Sequence, residues 1–186
     1  MQAARGASLT SDAHPFIGRP RAGLIAGIAV LAWLVDLGTK VLAVHHLSDG
    51  RPHHLVGSLL ELHLTRNAGA AFSTGTGLTP WITLFGCVAL VVVVVVSRRV
   101  RTPIWAVAIG LLLAGIAGNL TDRMFRDPSP LRGHVVDFLE LPNWPIFNIA
   151  DICINVAAVL IVIQSLRGIP MGGRSTAAAA EAEVPQ

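Results

Sequence analysis

The segment FNIADICINVAAVLIVIQSL, residues 147–166, decides the fold of this chain. From Ile149 to Leu166 it is an apolar run close to the roughly 20 residues with which an α-helix spans the hydrocarbon core of a bilayer. Asn148 and Asp151 stand at the start of this run. A carboxylate at such a position is costly unless another group holds it or uses it. The segment therefore raises a question of function together with one of fold.

Three further segments have the same apolar composition, and they span Ala22–Val44, Trp81–Val96 and Ile104–Leu120. The 186-residue chain is 53% hydrophobic and only 13% charged, with a mean hydropathy of +0.63. Soluble domains carry about 25% charged residues, and their cores rarely hold four such helices. The sequence therefore predicts a mainly α membrane protein, built as a four-transmembrane-helix bundle.

The first apolar segment resembles a secretory signal peptide at its start, because Arg19 and Arg21 precede it. It ends, however, in Val-Asp-Leu-Gly-Thr-Lys, which offers no small-residue cleavage site. A membrane anchor that stays in the protein is the better interpretation.

Clusters of arginine predict the orientation of the four segments. They lie before the first segment, between the second and third, and after the fourth: Arg5, Arg19, Arg21, Arg98, Arg99, Arg101, Arg167 and Arg174. Basic residues favour the cytoplasmic side. We therefore expect a cytoplasmic flexible tail at residues 1–20, a membrane domain at 21–168 and a second cytoplasmic flexible tail at 169–186. The loops at about 45–80 and 121–148 would face outward.

The outward loops contain two segments that are typical of strands. Leu60–Thr65 alternates apolar and polar residues, and His134–Leu139 is short and β-branched. We expect them to pair into a small extracytoplasmic sheet. The formal charge of +3 accompanies no basic stripe or nucleic-acid motif, which argues against a nucleic-acid partner. Cys87 and Cys153 lie inside predicted spans without the spacing of metal ligands, so packing roles are favoured.

Polar residues also interrupt the apolar segments. Asp36 and Lys40 stand one helical turn apart and can pair on one face. We predict a structural ion pair at the outer interface, with the Lys40 side chain snorkelling toward water. Asn119 and Arg123 are also one turn apart. Asn119 could cross-link helices, and the helix C-terminus would stabilise Arg123.

The start of the fourth segment permits two compatible interpretations. Asn148 is a good N-cap with Asp151 three residues later, which predicts a capping box and is a sufficient structural explanation. Asp137 lies shortly before, among apolar residues of the same outward loop. Two carboxylates brought together at an apolar interface do not both ionise cheaply. Such a pair can deprotonate a water and then protonate a leaving amine. In the other outward loop, Asn67 offers donors and an acceptor, although a plain turn also accounts for it.

Five motifs occur in order along the chain: DLGTK (36–40), NAGAAFS (67–73), GNLTDR (118–123), HVVDF (134–138) and FNIAD (147–151). Together they resemble the lipoprotein signal peptidase family, the bacterial signal peptidase II, over about residues 22–167. The departures are small: Leu37 replaces a residue that is often polar, and FRDPSPLR lengthens the loop after GNLTDR.

The resemblance implies a four-span aspartyl endopeptidase of the bacterial cytoplasmic (inner) membrane, with both termini inside. It implies cleavage of prolipoproteins just before a diacylglyceryl-modified Cys, at a site on the outer face beside a small β-cradle. The partners would be these precursors and membrane lipids. Globomycin-type peptides would inhibit the peptidase. We expect a monomer that needs no cofactor and no metal.

The resemblance also assigns residues. Asp137 and Asp151 match the catalytic pair, and Asp122 is expected to have a supporting role. The positions that line or brace the site are matched by Asp36, Lys40, Asn67, Gly115, Asn119, Arg123, Asn148 and Ala150.

Three other functions compete with this interpretation. A proton-coupled membrane carrier also uses intramembrane acids with a Lys and an Arg, although the chain has no inverted repeat. A metal-dependent membrane protease would draw on the outward histidines, but HExxH is missing from the sequence. A non-catalytic scaffold for lipidated partners is the third.

Overall fold

A computed structural model describes residues 20–69 and 76–173 of the chain. Within this part it contains four long α-helices and three strands. Nearly all of the predicted N-terminal tail, residues 174–186 and Ala70–Ser73 of the NAGAAFS motif lie outside the described residues. In chain order the elements are α1 (Ala22–His46), β1 (His53–Val56), β2 (Leu60–Asn67), α2 (Thr79–Ser97), α3 (Pro103–Phe125), β3 (Val135–Glu140) and α4 (Ile149–Leu166), with a short 3-10 turn at Thr76–Leu78 before α2.

The four helices confirm the predicted fold class, since each is long and apolar enough to cross a membrane. A helix satisfies its own backbone hydrogen bonds, which is why it suits a solvent without water. Pro80 and Pro103 lie in the first turns of α2 and α3, where the missing N–H costs no helical hydrogen bond. The predicted boundaries agree within two residues except at α3, which continues past Leu120 to Phe125.

Helix α3 is the central helix of the bundle. Half of its apolar stretch is buried inside the protein, whereas only 11% of the corresponding stretch of α1 or α2 is. Small residues permit this packing, because a Cβ added at Gly115 would lie 2.5 Å from the carbonyl oxygen of Ala150 on α4. On the other side, a Cβ at Gly110 would lie 2.9 Å from the Cβ of Ile28 on α1. Helix α3 thus fixes the positions of α1 and α4.

The three strands form one antiparallel sheet in the order β1-β2-β3. Both predicted strands are present, with β3 shifted by one residue relative to the prediction. No pattern in the sequence predicts β1, because all four of its side chains are exposed and no apolar face repeats along it. In the β2–β3 register Thr65 lies opposite Asp137 and Asn67 opposite Val135. This register places the last three residues of β2 opposite the first three residues of β3.

The sheet packs on one end of the bundle, which we call the sheet end. Ala43 and Leu47 of α1 and the loop after it form a buried cluster with Val136 and Phe138 of β3. Burying apolar side chains of this size stabilises by about 1.5–3 kcal/mol each. The Asp122 carboxylate of α3 also accepts a hydrogen bond from the Val136 N–H at 3.1 Å. Strand β3 is therefore fixed between the ends of α1 and α3.

Candidate active site

Asp137, in the middle of β3, is 2% exposed and is held by two amides. The Asn67 side chain donates to its Oδ2 at 3.0 Å, and the Asn148 side chain donates to its Oδ1 at 2.6 Å. Burial, and to a smaller extent the nearby charge of Asp151, together raise the pKa of Asp137 to about 6, although the two amide hydrogen bonds act in the opposite direction. Asp137 therefore retains a proton at mildly acidic pH, unlike an ordinary aspartate.

Asp151 lies in the first turn of α4, within the predicted capping box, which is confirmed. Its backbone N–H donates to Asn148 Oδ1 at 3.0 Å, and the Asn148 N–H donates to its Oδ2 at 3.1 Å. The second carboxylate oxygen, Oδ1, accepts from the Asn119 side chain at 2.9 Å. A helix N-terminus favours the ionised form of a carboxylate. Asp137 and Asp151 therefore occupy different environments, one on a strand between two amides and the other in a helix N-terminal capping box.

Both carboxylates line one cavity of about 300 Å³ at the sheet end. Its wall combines polar groups on one side with an apolar loop on the other: Asn67, Gly69, Asn119, Arg123, Val135, Asp137, Trp144, Pro145, Ile146, Phe147, Asp151 and Asn155. A larger cavity of about 640 Å³ shares Trp144 but contains neither Asp137 nor Asp151. The smaller cavity is thus the one in which paired carboxylates meet an apolar surface.

Arg123 of α3 contributes a cation to the same cavity. Its Nη2 donates to the Gly69 carbonyl oxygen at 2.7 Å, which anchors the chain just after β2. The residue is 7% exposed, and its Nη1 has no hydrogen-bond partner among the residues that the structure describes. A buried unpaired N–H group is costly. Arg123 therefore leaves a donor for an acceptor that enters the cavity.

Behind the cavity, Lys40 forms the centre of a buried ion cluster. Its Nζ lies 2.9 Å from Asp36 and 3.0 Å from Asp122, and Arg126 pairs with the other oxygen of Asp122. The predicted Asp36–Lys40 ion pair is confirmed. The predicted snorkelling of Lys40 is wrong, because the side chain is 0% exposed. Asp122, on the neighbouring helix α3, supplies a second carboxylate and draws the ammonium group into the protein.

The Asn119 amide connects this ion cluster to the carboxylates of the cavity. Its Oδ1 accepts from Lys40 Nζ at 3.1 Å and from the Asn148 side chain at 3.2 Å. With the oxygen on that side, the NH₂ group faces Asp151. Lys40 therefore orients the donor that binds Asp151, although it does not line the cavity itself.

The eight predicted supporting residues fall into two groups. The cavity wall contains Asn67, Asn119 and Arg123. The layer behind it contains Asp36, Lys40, Gly115, Asn148 and Ala150. In that layer the Ala150 N–H donates to Asp36 Oδ1 at 2.8 Å, which ties α4 to α1.

Seven residues of the cavity wall are not among the predicted site residues: Gly69, Val135, Trp144, Pro145, Ile146, Phe147 and Asn155. Asn155 stands one helical turn after Asp151 and donates to its carbonyl oxygen at 2.9 Å. Helical spacing could have identified it. No pattern in the sequence indicates Ile146.

Comparisons with known proteins agree with this architecture. A family model described as Signal peptidase (SPase) II matches residues 28–167. A lipoprotein signal peptidase of Rhodococcus jostii (strain RHA1) is 47% identical over 150 residues, which cover 81% of this chain and 74% of that protein. One of Mycobacterium avium (strain 104) is 45% identical over 148 residues, covering 80% and 81%.

Two solved structures, each described as a bacterial membrane enzyme structure obtained by the in meso method, share the fold. One has a TM-score of 0.73 at 28% identity and covers 83% of this chain and 93% of the solved chain. The other has a TM-score of 0.71 at 29% identity, with 80% and 96% covered. Because the family match extends over four helices, the sheet and the cavity between them, this multi-pass membrane protein belongs to the signal peptidase II family of peptidases.

Proposed function

We propose that the chain is a lipoprotein signal peptidase that hydrolyses the signal peptide of prolipoproteins on the N-terminal side of a diacylglyceryl-modified Cys. The observation that carries the proposal is the pair of carboxylates, Asp137 and Asp151, in one cavity at the end of four apolar helices. Such a position suits a substrate whose acyl chains lie in the bilayer while its scissile peptide bond lies at the edge. The names of the relatives support this substrate class.

We further propose that the peptidase is of the aspartic type, with Asp137 and Asp151 as its catalytic pair. We assign Asp137 as the general acid and Asp151 as the general base, and the raised pKa of Asp137, about 6, supports this assignment. A water between them gives a proton to Asp151 as its oxygen attacks the scissile carbonyl carbon. Asp137 donates its proton to the carbonyl oxygen, and a tetrahedral diol forms. This uses one acid and one base of different pKa.

The diol then collapses and the carbon–nitrogen bond breaks. The leaving nitrogen takes the proton held by Asp151, and a hydroxyl of the diol returns a proton to Asp137. The products are a signal peptide with a new carboxyl terminus and a protein with a free amino group on the lipidated Cys. Both aspartates end in their starting protonation states.

The surrounding groups have separate roles in this scheme. Asn67 and Asn148 hold Asp137, and Asn119 holds Asp151, so that neither carboxylate rotates away from the water. Arg123 presents its free N–H to a carbonyl oxygen of the bound peptide. Fixed donors of this kind avoid reorganisation during the reaction.

The cellular setting follows from the same proposal. The chain would lie in the bacterial cytoplasmic membrane with its cavity at the outer face and both termini in the cytoplasm. Residues 21–168 would be the membrane domain, with cytoplasmic tails at 1–20 and 169–186. A monomer suffices, because one chain supplies both aspartates. Globomycin-type peptides would inhibit by occupying the cavity.

The competing functions fit the geometry less well. A carrier needs acids distributed across the bilayer, whereas Asp36, Asp122, Asp137 and Asp151 form one connected group at the sheet end. The histidines of the sheet pair with surface carboxylates rather than facing the cavity: His53 with Asp49, His54 with Glu61, and His63 with Glu140.

The direct experiment is cleavage of a purified precursor by the purified protein in detergent. A diacylglyceryl-modified prolipoprotein is compared with the same precursor lacking the lipid, and mass spectrometry identifies the new N-terminus. We expect cleavage of the modified precursor alone, with the lipidated Cys as the first residue of the product. Equal cleavage of both precursors, or cleavage at another bond, would contradict the proposed substrate.

A further inference from the structure

We propose that the end of the bundle opposite the sheet binds the phosphate of an anionic phospholipid. We call it the arginine end, because it carries Arg21, Arg98, Arg99, Arg101 and Arg167. This site is separate from the catalytic cavity and does not depend on the peptidase reaction.

Backbone contacts gather these arginines into one patch. The Arg21 N–H donates to the Val100 carbonyl at 3.3 Å, and the Arg21 Nε donates to the Arg101 carbonyl at 3.3 Å. The Arg101 N–H in turn donates to the Met171 carbonyl at 2.8 Å. The start of α1, the turn between α2 and α3, and the segment after α4 are therefore held together. The arginines are positioned by the fold rather than by a loose tail.

No described carboxylate compensates these charges. Each ion pair between described residues lies toward the sheet end, and none involves an arginine of this patch. Residues 20–26, 97–105 and 163–173 contain neither Asp nor Glu. Four of the five arginines are exposed, and Arg101 is half-buried. The patch is an accessible concentration of unpaired positive charge.

Helix electrostatics separates these arginines into two kinds. Arg98 and Arg167 are the C-caps of α2 and α4, where the helix dipole favours a cation, so a structural role accounts for them. Arg21 and Arg101 instead lie at the N-termini of α1 and α3, where the dipole disfavours a cation. Neither helix has an acidic residue in its first turn or a side-chain cap. Two helix N-termini and two arginines thus face one place where an anion is favoured.

The surroundings identify the anion. The chain crosses a membrane, so the ends of its helices lie at the depth of lipid headgroups. Arginine binds phosphate oxygens through two parallel N–H bonds and is weakly hydrated, which suits a phosphodiester at an interface. Anionic lipids attract each nearby basic residue by about 1 kcal/mol. A phospholipid with a net negative headgroup is therefore the occupant that the charge of the patch selects.

The test measures lipid binding to the purified full-length protein in neutral detergent, by native mass spectrometry and by thermal unfolding. Phosphatidylglycerol, phosphatidylcholine and inorganic phosphate are added in separate titrations. We expect phosphatidylglycerol to bind at least tenfold more tightly than phosphatidylcholine and to raise Tm, and inorganic phosphate to do neither at the same concentration. Equal binding of the two lipids would overturn the proposal, as would an equal rise in Tm with inorganic phosphate, since the free ion rather than the lipid would then be the ligand.

A matched pair of variants locates the site. Arg21→Gln with Arg101→Gln removes the two arginines at the helix N-termini, and Arg51→Gln with Arg132→Gln removes two exposed arginines at the sheet end. Each arginine contributes roughly a fivefold factor in affinity, so the first variant should weaken phosphatidylglycerol binding about 25-fold and the second less than twofold. Equal losses would show a general charge effect and refute the site. If the first variant does not fold, Arg21→Gln alone takes its place, with a loss of about fivefold expected against Arg51→Gln alone.

Discussion

Two pairs of aspartates lie side by side at the sheet end, all of them buried except the half-buried Asp151, and the pairs differ in their counter-ions. Asp36 and Asp122 contact Lys40, and Asp122 also contacts Arg126. Asp137 and Asp151 make no ion pair with any described residue and are held by neutral amide and backbone N–H groups. The first pair is neutralised and ties α1 to α3. The second pair lies near Arg123 and Lys40 without an ion-pair contact. The raised pKa of Asp137 lets that carboxyl keep a proton at mildly acidic pH, which suits acid–base chemistry.

The largest effect is expected when the un-neutralised pair loses a carboxylate. Asp137→Asn or Asp151→Asn should each lower kcat about 10⁴-fold, because either the acid or the base is missing. Tm should change by only a few degrees, since Asn keeps the size of the side chain. Cleavage of the lipidated precursor and thermal unfolding measure the two effects. The control is Asp49→Asn, at a surface aspartate that pairs with His53. Substantial activity in Asp137→Asn or in Asp151→Asn would shift the proposed catalytic role toward Asp122.

For the neutralised pair, Asp36 and Asp122, we expect the main effect of substitution on the free energy of unfolding. Lys40→Met leaves Asp36 buried without a cation, and removing one partner of a buried ion pair costs about 3–5 kcal/mol of unfolding free energy. The double variant Asp36→Asn with Lys40→Met should recover most of that loss, because no buried charge is then unpaired at Asp36. Denaturation in the same detergent measures both variants. A Lys40→Met protein as stable as the wild type would mean that the cluster does not hold the helices.

A smaller effect on kcat is expected at Asn119, the residue that connects the two pairs of aspartates. Asn119→Ala removes the side-chain donor to Asp151 and the acceptor of Lys40. Loss of one fixed donor at a reacting group lowers kcat about 100-fold, and KM should change little. Thr121→Val is the control in the same cleavage assay. Thr121 lies on the same helix as Asn119, and its hydroxyl accepts a hydrogen bond from the indole N–H of Trp33 on α1. An equal fall in kcat in both variants would indicate general disturbance of α3.

The smallest effect is the pH dependence of stability. The pKa of Asp137 rises from 3.8 in an ordinary environment to about 6 in the fold, so between these values the native state binds more protons than the unfolded chain. Its stability then falls as pH rises from about 4 to 6, by at most about 3 kcal/mol. Asp137→Asn has no such group. The Tm of Asp137→Asn minus the Tm of the wild type should therefore increase from about pH 4 to 6 and stay constant above about pH 6. A Tm difference that decreases as pH rises would contradict the pKa assigned to Asp137.

Much of the helical scaffold could be predicted because it depends on local patterns. The apolar runs, the capping box at Asn148 and the i,i+4 pairing of Asp36 with Lys40 are all readable within a few residues. Strand β1 could not be predicted because its exposed side chains do not alternate between apolar and polar residues. The burial of Lys40 depends on Asp122, 82 positions away, which only the packing of α1 on α3 brings near.

In the candidate site, too, some features follow from local sequence patterns and others only from tertiary packing. The chemistry and the common outward side of Asp137 and Asp151 predict that they act as a pair, and the resemblance to a family assigns them as its catalytic residues. Their common cavity depends on the β2–β3 register, which sets Asn67 beside Asp137, and on the amide network through Asn148. No local pattern fixes such a register. The orientation of the Asn119 amide likewise follows only from the position of Lys40.

The most direct test of the central claim is an infrared titration of the protonated carboxyl band in wild type, Asp137→Asn and Asp36→Asn. We expect the band of the wild type to lose intensity as pH rises through about 6, this step to be absent in Asp137→Asn, and Asp36→Asn to retain it. A step that persists in Asp137→Asn and disappears in Asp36→Asn would give the opposite assignment, because the proton would then belong to the ion cluster and not to the proposed catalytic pair.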